Sequence, residues 1–503
     1  MAHAKTAVLQ LDYQKKGTQF LRRKERAGLF DEQGLGKSKQ VIDAVAAEMA
    51  AGSIRGAVIV CPNGLKSNWA AEIEKFSSLP FTVFGSGRAA RRSAFTAMRA
   101  AFYVINYEAI PAEMASLKAL LQFKPMALIL DESHRIKTPG AKVTKAIHKL
   151  RSHAVRRYIL SGTPVANKPD DLWSQMFFLD DGAALGDSFE SFERTYKAGR
   201  SGYQRMDDLR ERIAPNTLRR TKDKSLKLPP KTYTRISVPL APTQGTMYET
   251  MRKDLELSVR KMPGAQVMEQ AEAILARMVR LAQLASNPAL LDANYREVPA
   301  KLALLDNLLA KTLKAPGRKV IVWSSFVENI RGMAARYKKY KPVVIYGEMD
   351  NSARDKSVRA FRSDPTVRLL IANPAAAREG LTLTEANVAV YLDRTFNLVD
   401  YLQSQDRIHR ISQTKPCEIV LLIAKDTVDE FIDFSLEQKH RLARFAQKDV
   451  DIVTAQDLAL EKPDILRALL APSSSKSLKP SASKAKSPHS PRKTTPRVSA
   501  TGN

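Results

Sequence analysis

Short runs of apolar, mostly β-branched residues recur along the chain and are separated by segments of helix length. They are Ala57–Val60, Ala127–Leu130 and Tyr158–Leu160 in the first half, then Lys319–Trp323, Val343–Tyr346, Val367–Ala372, Val388–Leu392 and Ile419–Ile423 in the second. Continuous apolar runs of this length are typical of strands buried on both faces of a parallel sheet. The pattern therefore predicts two α/β lobes.

The strand signal fades between Asp181 and Lys301, where charged, helix-forming stretches such as Gln244–Arg260 and Met268–Gln283 take over. The last segment is rich in Ser, Lys and Pro and has almost nothing to bury, so we expect it to be disordered. The predicted divisions are a first lobe at 1–180, helical insertions and a connecting region at 181–300, a second lobe at 301–450, a helical extension at 451–472 and a basic tail at 473–503.

The charge balance favours a polyanionic partner. Among 503 residues, 81 are Lys or Arg and 52 are Asp or Glu, which leaves a formal net charge of +29. The two cysteines, Cys61 and Cys417, offer no disulfide framework and no zinc pair. The sequence shows no secretory signal and no apolar run long enough to cross a bilayer, so we expect an intracellular protein without a membrane partner.

A glycine-containing loop, Asp31-Glu32-Gln33-Gly34-Leu35-Gly36-Lys37-Ser38, runs directly into a helical stretch. Such a loop turns its backbone N–H groups toward a phosphate, and the helix N-terminus favours negative charge. Lys37 would then neutralise phosphate oxygens and Ser38 would hold Mg²⁺. Because Asp31 occupies the position of the first glycine in the strict pattern, a plain glycine-rich turn stays open as the second interpretation.

The apolar run Ala127–Leu130 leads directly into Asp131-Glu132-Ser133-His134. Parallel folds place ligands at the carboxyl ends of strands. Asp131 could bind Mg²⁺ there, and Glu132 could orient and deprotonate an attacking water. Taken alone, the pair could equally start a helix, with Asp131 as its cap. The glycine loop upstream favours the catalytic interpretation.

These segments, in this order, resemble the SNF2-type ATPases of helicase superfamily 2, over nearly all of residues 10 to 445. The further matching segments are Leu11 to Gly17 (a Q motif), Ser161 to Pro164 with Asn167 and Asp171 to Trp173, Leu218 to Lys222, Leu228 to Lys231, Leu281 to Pro288, Val320 to Phe326 (motif IV), Gly380 to Thr384 (motif V) and Gln403 to Thr414. The segment from Gln403 to Thr414 is similar to the Q-x-x-x-R-x-x-R-x-G-Q box.

The resemblance implies two RecA-like lobes with ATP and Mg²⁺ in the cleft between them. Its implied catalytic residues are Lys37, Asp131, Glu132, Arg407 and Arg410, and its implied nucleotide-binding residues are Gln14, Gly34, Gly36, Lys37, Ser38 and Gly380, with Ser38 and Asp131 holding the metal. Arg407 and Arg410, spaced three apart, are expected to share one face of a helix and to bridge the γ-phosphate.

The implied partner is DNA, double-stranded or branched, gripped through its phosphates by a monomeric motor. Positions in the motifs suggest DNA contacts or coupling at Lys66, Asn106, Thr163, Asn167, Ser324, Ser325, Thr382 and Thr384. The aromatic side chains of Trp323, Phe326 and Tyr346 could stack on bases, but we expect them in the core.

Two positions depart from the family pattern; we expect the first, a small-for-small change, to be tolerated, and the second concerns the substrate. Ser412 replaces a common glycine, and the segment before Gly380 is closer to the annealing-helicase branch than to chromatin remodellers. The chain begins about a dozen residues before the Q motif, so we expect a compact bacterial or phage version in the cytoplasm, or a nuclear protein in a eukaryote. A strand-separating helicase, a non-catalytic basic scaffold and an RNA-directed motor stay as alternatives, and the tail could recruit a protein partner.

Overall fold

The predicted apolar runs form strands of two separate parallel sheets. The structure is a computed structural model that describes residues 10–85, 87, 99–198, 202–260, 270–377, 381–447 and 449. All eight predicted strands are confirmed, within a few residues at their ends. The predicted helical extension and basic tail lie outside the described residues, as does Gly380. Within the described part, no helix is long and apolar enough to cross a membrane.

The first lobe is built on a seven-stranded sheet. Its strands are β1 Arg26–Leu29, β2 Ala57–Cys61, β3 Phe81–Val83, β4 Phe102–Asn106, β5 Ala127–Asp131, β6 Arg156–Leu160 and, after a small hairpin of β7 Lys197–Ala198 with β8 Gly202–Tyr203, β9 Thr217–Leu218. The order across the sheet is β3-β4-β2-β5-β6-β1-β9, and every neighbouring pair is parallel.

Helices cover both faces of this sheet. They are α1 Asp12–Arg23, α2 Lys37–Ala50, α3 Lys66–Phe76, α4 Met114–Phe123, α5 Lys142–Leu150, α6 Asp171–Asp180, α7 Phe189–Tyr196 and α8 Met206–Ile213. Along β2, Val58 and Val60 belong to one core and Ile59 belongs to the core on the opposite face. The strand is continuously apolar because both of its faces are buried.

The connecting region is less purely helical than predicted. It contains α9 Lys222–Ser225, β10 Lys231–Val238, α10 Pro242–Arg260 and α11 Ala271–Ser286. Strand β9 belongs to the sheet of the first lobe, and β10 belongs to the sheet of the second. A boundary at residue 180 is therefore too early for the first lobe, and one at 301 is too late for the second. Strand β10 escapes prediction because it lies at a sheet edge, is only partly buried, and so has no continuous apolar run.

The second lobe has a six-stranded parallel sheet with the order β10-β15-β14-β11-β13-β12. The strands after β10 are β11 Val320–Trp323, β12 Val343–Ile345, β13 Leu369–Ala372, β14 Val388–Tyr391 and β15 Cys417–Ala424. Its helices are α12 Ala300–Thr312, α13 Val327–Arg336, α14 Asn351–Ser363, α15 Pro374–Ala377, α16 Leu398–Gln405 and α17 Val428–Ala446. Trp323 is fully buried in this core, as predicted.

Candidate functional site

The glycine loop lies at the carboxyl edge of the first sheet, between β1 and α2. Gly34 and Gly36 have φ angles of 86° and 70°, a left-handed conformation that glycine adopts without strain. A Cβ added to Gly36 would lie 2.5 Å from Nε2 of Gln14, so the Q-motif glutamine packs directly on the loop. Lys37, the first residue of α2, donates through Nζ to the carbonyl of Asp31 at 2.8 Å. The predicted loop residues are therefore brought together around one helix N-terminus.

The structure explains why an aspartate replaces the first glycine of the loop. The Asp31 side chain is fully buried. It accepts hydrogen bonds from Nε of Arg220 at 2.8 Å and from Nε2 of Gln40 at 3.2 Å. The carboxylate thus ties the loop to α2 and to the connecting region. This role of Arg220 is not visible in the sequence, because the contact joins residues 189 positions apart.

The predicted acidic pair lies where β5 ends, on the same edge of the sheet as the loop. Asp131 Oδ2 accepts a hydrogen bond from the indole Nε1 of Trp69 at 2.8 Å, and Oδ1 accepts one from the backbone N–H of Glu132 at 3.0 Å. Glu132 has a φ angle of 52°, an uncommon value for a residue with a side chain. Such local strain is often found at functional positions. The pair does not cap a regular α-helix, since only a short 3₁₀ turn follows it.

The two carboxylate oxygens of Glu132 differ in their surroundings. Oε1 accepts hydrogen bonds from Nε2 of Gln33 at 3.0 Å and from Nε2 of Gln403 at 3.1 Å. Oε2 is buried and lies 3.3 Å from Nδ1 of His134, yet no described residue donates a hydrogen bond to it. One oxygen is held by both lobes, and the other faces His134 without a hydrogen bond from a described residue.

Burial and the neighbouring charge of Asp131 raise the pKa of Glu132 to about 7, against the opposing effect of Lys37 and Arg407. Burial also raises the pKa of Asp131, although the hydrogen bond from Trp69 and the charge of Lys37 act in the other direction. A carboxyl group that titrates near neutral pH is well matched to accepting a proton during a reaction.

The second lobe contributes Arg407 to the same cleft. Its guanidinium is only 1% exposed. Nη2 lies 3.3 Å from Oε1 of Gln33, while Nε and Nη1 donate to the carbonyls of Gln403 and Leu381 at 2.8 and 3.0 Å. Burial, together with the charge of Arg410, lowers the pKa of Arg407 to about 9. Arg407 thus reaches the nucleotide loop across the cleft.

The expectation that both arginines share a helix face is wrong. Helix α16 ends at Gln405, and Arg407 and Arg410 lie in the turns that follow it. Gln413 Nε2 donates to the carbonyl of Ile408 in these turns and to the carbonyls of Thr384 and Ala386, and so holds the turns against the segment around motif V.

Arg410 is directed toward the loop as well. Its Nη1 donates to Oγ1 of Thr382 at 2.8 Å, and its Cγ lies 3.8 Å from the position that a Cβ on Gly34 would take. The predicted DNA contact Thr382 therefore supports an arginine in this arrangement.

The other predicted DNA-contacting residues differ in accessibility. Ser324 is fully buried, and its hydroxyl donates to Oδ2 of Asp393 at 2.7 Å. The structure therefore contradicts a direct phosphate contact by Ser324. Thr163 is 6% exposed, and its buried Oγ1 has no hydrogen-bond partner among the described residues. The side chains with exposed surface are Lys66, Asn106, Asn167, Ser325 and Thr384.

Sequence reasoning missed several side chains that organise the site. Gln33 and Gln403 lie inside quoted motifs but were given no role, although both donate to Glu132. Trp69 looked like an ordinary apolar residue of a helix, and its buried indole supports Asp131. A polar atom on an otherwise apolar helix face, next to a predicted acidic pair, is the signal that could have indicated Trp69.

Comparison with known proteins agrees with this architecture. The SNF2-related domain model matches residues 13–290, more than half of the chain, and the helicase conserved C-terminal domain model matches residues 300–412. The chain belongs to the SNF2-related family.

Two curated relatives illustrate the match. An uncharacterized ATP-dependent helicase of Mycoplasma genitalium is 28% identical over 446 residues, which cover 86% of this chain and 42% of that protein. The human SWI/SNF-related matrix-associated actin-dependent regulator of chromatin subfamily A member 1 is 27% identical over 486 residues, covering 91% of this chain and 45% of that protein. The chain spans less than half the length of these relatives.

Among solved structures, the Sulfolobus solfataricus SWI2/SNF2 ATPase core in complex with dsDNA is 26% identical. The match covers 90% of this chain and 97% of that chain, with a TM-score of 0.41. The fold assignment rests on the two parallel sheets described above.

Proposed function

We propose that this chain is a DNA-stimulated ATPase that uses hydrolysis to translocate on double-stranded DNA. The supporting observation is that one lobe supplies the phosphate loop and acidic pair while the other supplies Arg407 and Gln403 to the same cleft, with Gln403 only 3.1 Å from Glu132. Neither lobe has the complete site. Turnover in such an arrangement depends on lobe closure, as a motor requires.

Each residue of the site has a role that its position supports. Lys37 is expected to leave its loop carbonyl and neutralise phosphate oxygens of ATP. Glu132, with Oε2 available and a pKa near 7, is expected to orient the attacking water and accept its proton. Arg407 and Arg410 are expected to stabilise charge on the γ-phosphate.

The residues present also fit a magnesium ion. Ser38 and Asp131 supply hydroxyl and carboxylate oxygens, the donors that Mg²⁺ prefers, and each Asp131 oxygen makes one hydrogen bond that leaves it further capacity to coordinate. When bound, Mg²⁺ neutralises phosphate charge.

The DNA contacts are proposed at the carboxyl edges of the sheets, through Lys66, Asn106, Asn167, Ser325 and Thr384. These are cationic, amide and hydroxyl groups, which can grip phosphates without reading bases, so the motor would accept any sequence. Loss of the γ-phosphate would release Arg407 and let the lobes separate, and this change would move the contacts along the strand.

Steady-state ATP hydrolysis tests this function. Wild type and Glu132→Gln are compared without nucleic acid and with double-stranded DNA, single-stranded DNA, forked DNA and RNA, and Glu74→Gln serves as an exposed control on α3. We expect stimulation by double-stranded or forked DNA in wild type and control, abolished in Glu132→Gln. A wild-type rate that ignores every nucleic acid would favour the basic scaffold, and stimulation by RNA alone would favour an RNA-directed motor.

A strand-displacement assay on the same preparations separates translocation from unwinding. A translocase hydrolyses ATP with little release of the displaced strand, whereas a strand-separating helicase releases it in proportion to turnover.

A further inference from the structure

The connecting region runs directly beside the nucleotide loop before it enters the second lobe. The backbone N–H of Phe30 donates to the carbonyl of Leu218 at 2.8 Å, and that of Glu32 donates to the carbonyl of Arg220 at 2.9 Å. These bonds extend the parallel pairing of β1 with β9 into the loop itself. A movement of the loop is therefore transmitted to residues 218–222 through the backbone.

Two cations of this segment hold opposite sides of the cleft. Arg220 binds Asp31 at the base of the loop. Lys222 extends to the second lobe, where Nζ donates to Oδ1 of Asp406 at 2.5 Å and to the carbonyl of His409 at 3.0 Å. The Lys222 side chain is 3% exposed, so it does not reach solvent or nucleic acid. The segment thus bridges the loop and the arginine-bearing turns.

Lys222 also contacts the loop. Its backbone N–H donates to Oε2 of Glu32 at 2.8 Å. Its Cε lies 3.6 Å from the position of a Cβ on Gly34, beside the Cγ of Arg410 at 3.8 Å. Any side chain larger than hydrogen at Gly34 would reach Lys222. Lys222 and Arg410 therefore pack side by side against the loop at Gly34.

Lys222 binds the two residues that directly precede the arginines in the chain. Asp406 immediately precedes Arg407, and its carbonyl accepts from Nε of Arg410 at 2.9 Å. His409 immediately precedes Arg410. Holding Asp406 and His409 fixes the backbone from which both guanidinium groups extend.

We propose that Lys222 is a positioning residue that couples the state of the nucleotide loop to the placement of Arg407 and Arg410. This inference rests on the proposed ATPase function. The buried Lys222 side chain acts by holding the arginine-bearing turns at a fixed distance from the loop. The segment from Leu218 to Lys222 thus links the nucleotide loop mechanically to the second lobe.

A double replacement distinguishes this role from a purely structural one. Lys222→Met alone leaves the charge of Asp406 buried without its main partner and could unfold the protein. Lys222→Met combined with Asp406→Asn removes both charges and preserves volume. The matched control is Lys224→Met, an exposed lysine on the same short helix.

The readouts are the unfolding midpoint, the KM for ATP and kcat at saturating double-stranded DNA. We expect the double variant to unfold near the wild-type midpoint, with kcat reduced about tenfold or more and KM changed less than about threefold, because Lys37 and the bond between Asp31 and Arg220 remain. The control should match wild type in all three.

Wild-type kcat in the double variant would overturn the proposal and assign the ion pair a structural role. A parallel loss of kcat and unfolding midpoint would overturn it too, as would a loss confined to KM. If wild type itself shows no DNA-stimulated turnover, the proposed function is wrong and the coupling role is wrong with it. The wild-type protein therefore tests the proposed function, and the double variant tests the coupling role.

Discussion

Replacing Glu132 with glutamine should stabilise the folded protein in a pH-dependent way. The side chain is 15% exposed, and burial together with the charge of Asp131 raises its pKa from 4.5 to about 7. Glutamine has nearly the same shape and keeps an oxygen that can accept from Gln33 and Gln403, but it carries no charge. The substitution therefore removes the cost of ionising a buried carboxyl group.

The magnitude follows from the pKa shift. A rise of about 2.5 units corresponds to about 3 kcal/mol, since one unit is worth about 1.4 kcal/mol. Because the folded-state pKa is the higher one, the folded protein binds the proton more tightly. The stabilisation is complete below the unfolded pKa near 4.5 and is lost as the pH rises through about 7. Wild type loses this contribution on going from acid to neutral pH, and Glu132→Gln does not.

Urea unfolding at pH 5 and pH 8 measures the effect. The free energy of unfolding of Glu132→Gln minus that of wild type should be about 2–3 kcal/mol larger at pH 8 than at pH 5. The exposed control Glu74→Gln should show no such change. A difference between Glu132→Gln and wild type that is constant with pH would refute the raised pKa and the inference that Glu132 is poised as a base.

Three further variants test single contacts. Trp69→Phe removes the indole donor to Asp131; since a hydrogen bond to a charged group is worth about 1.5–3 kcal/mol, the change should lower the free energy of unfolding in urea by about that amount and reduce kcat about tenfold or more. Unchanged kcat would show that Asp131 needs no such support. Lys301 Nζ lies 2.6 Å from the buried carboxylate of Asp429, so Lys301→Met leaves that charge without its ion-pair partner and should lower the free energy of unfolding in urea by about 3–5 kcal/mol. Adding Asp429→Asn should restore stability, and a loss that this second change does not relieve would argue against the ion pair as its cause. Gly36→Ala forces a residue with a side chain to φ 70° and against the Q-motif carboxamide, and should raise the KM for ATP several-fold, whereas a normal KM would mean that the loop relaxes freely.

Much of the fold could be predicted because its inner strands are buried on both faces. Ala57–Val60 is apolar at every position since helices pack on each side of the sheet, and such a run is visible in sequence. Strand β10 is not predicted, because it lies at the sheet edge and has no continuous apolar run. Strand β9, only two residues long, owes its place to pairing with β1, which no local pattern encodes.

In the site too, some residues could be predicted from the sequence and others could not. Lys37, Asp131 and Glu132 are recognisable because their chemistry is written in short contiguous motifs. Arg220 and Lys222 act through partners 189 and 184 positions away, and their basic character alone does not indicate which carboxylate each will meet. The same limit explains the error over the two arginines. Their spacing suits a helix, but α16 ends at Gln405, and Gln413 holds the turns that follow against Thr384, 29 positions away.

The central claim, that ATP hydrolysis at the cleft between the lobes drives movement along duplex DNA, is tested most directly by a triplex displacement assay. A labelled third strand is annealed to one end of a duplex, and its release is followed with ATP, without ATP, and with Glu132→Gln. We predict ATP-dependent release by wild type while the duplex stays paired, and no release by the variant. Robust DNA-stimulated hydrolysis with the third strand left in place would contradict the account.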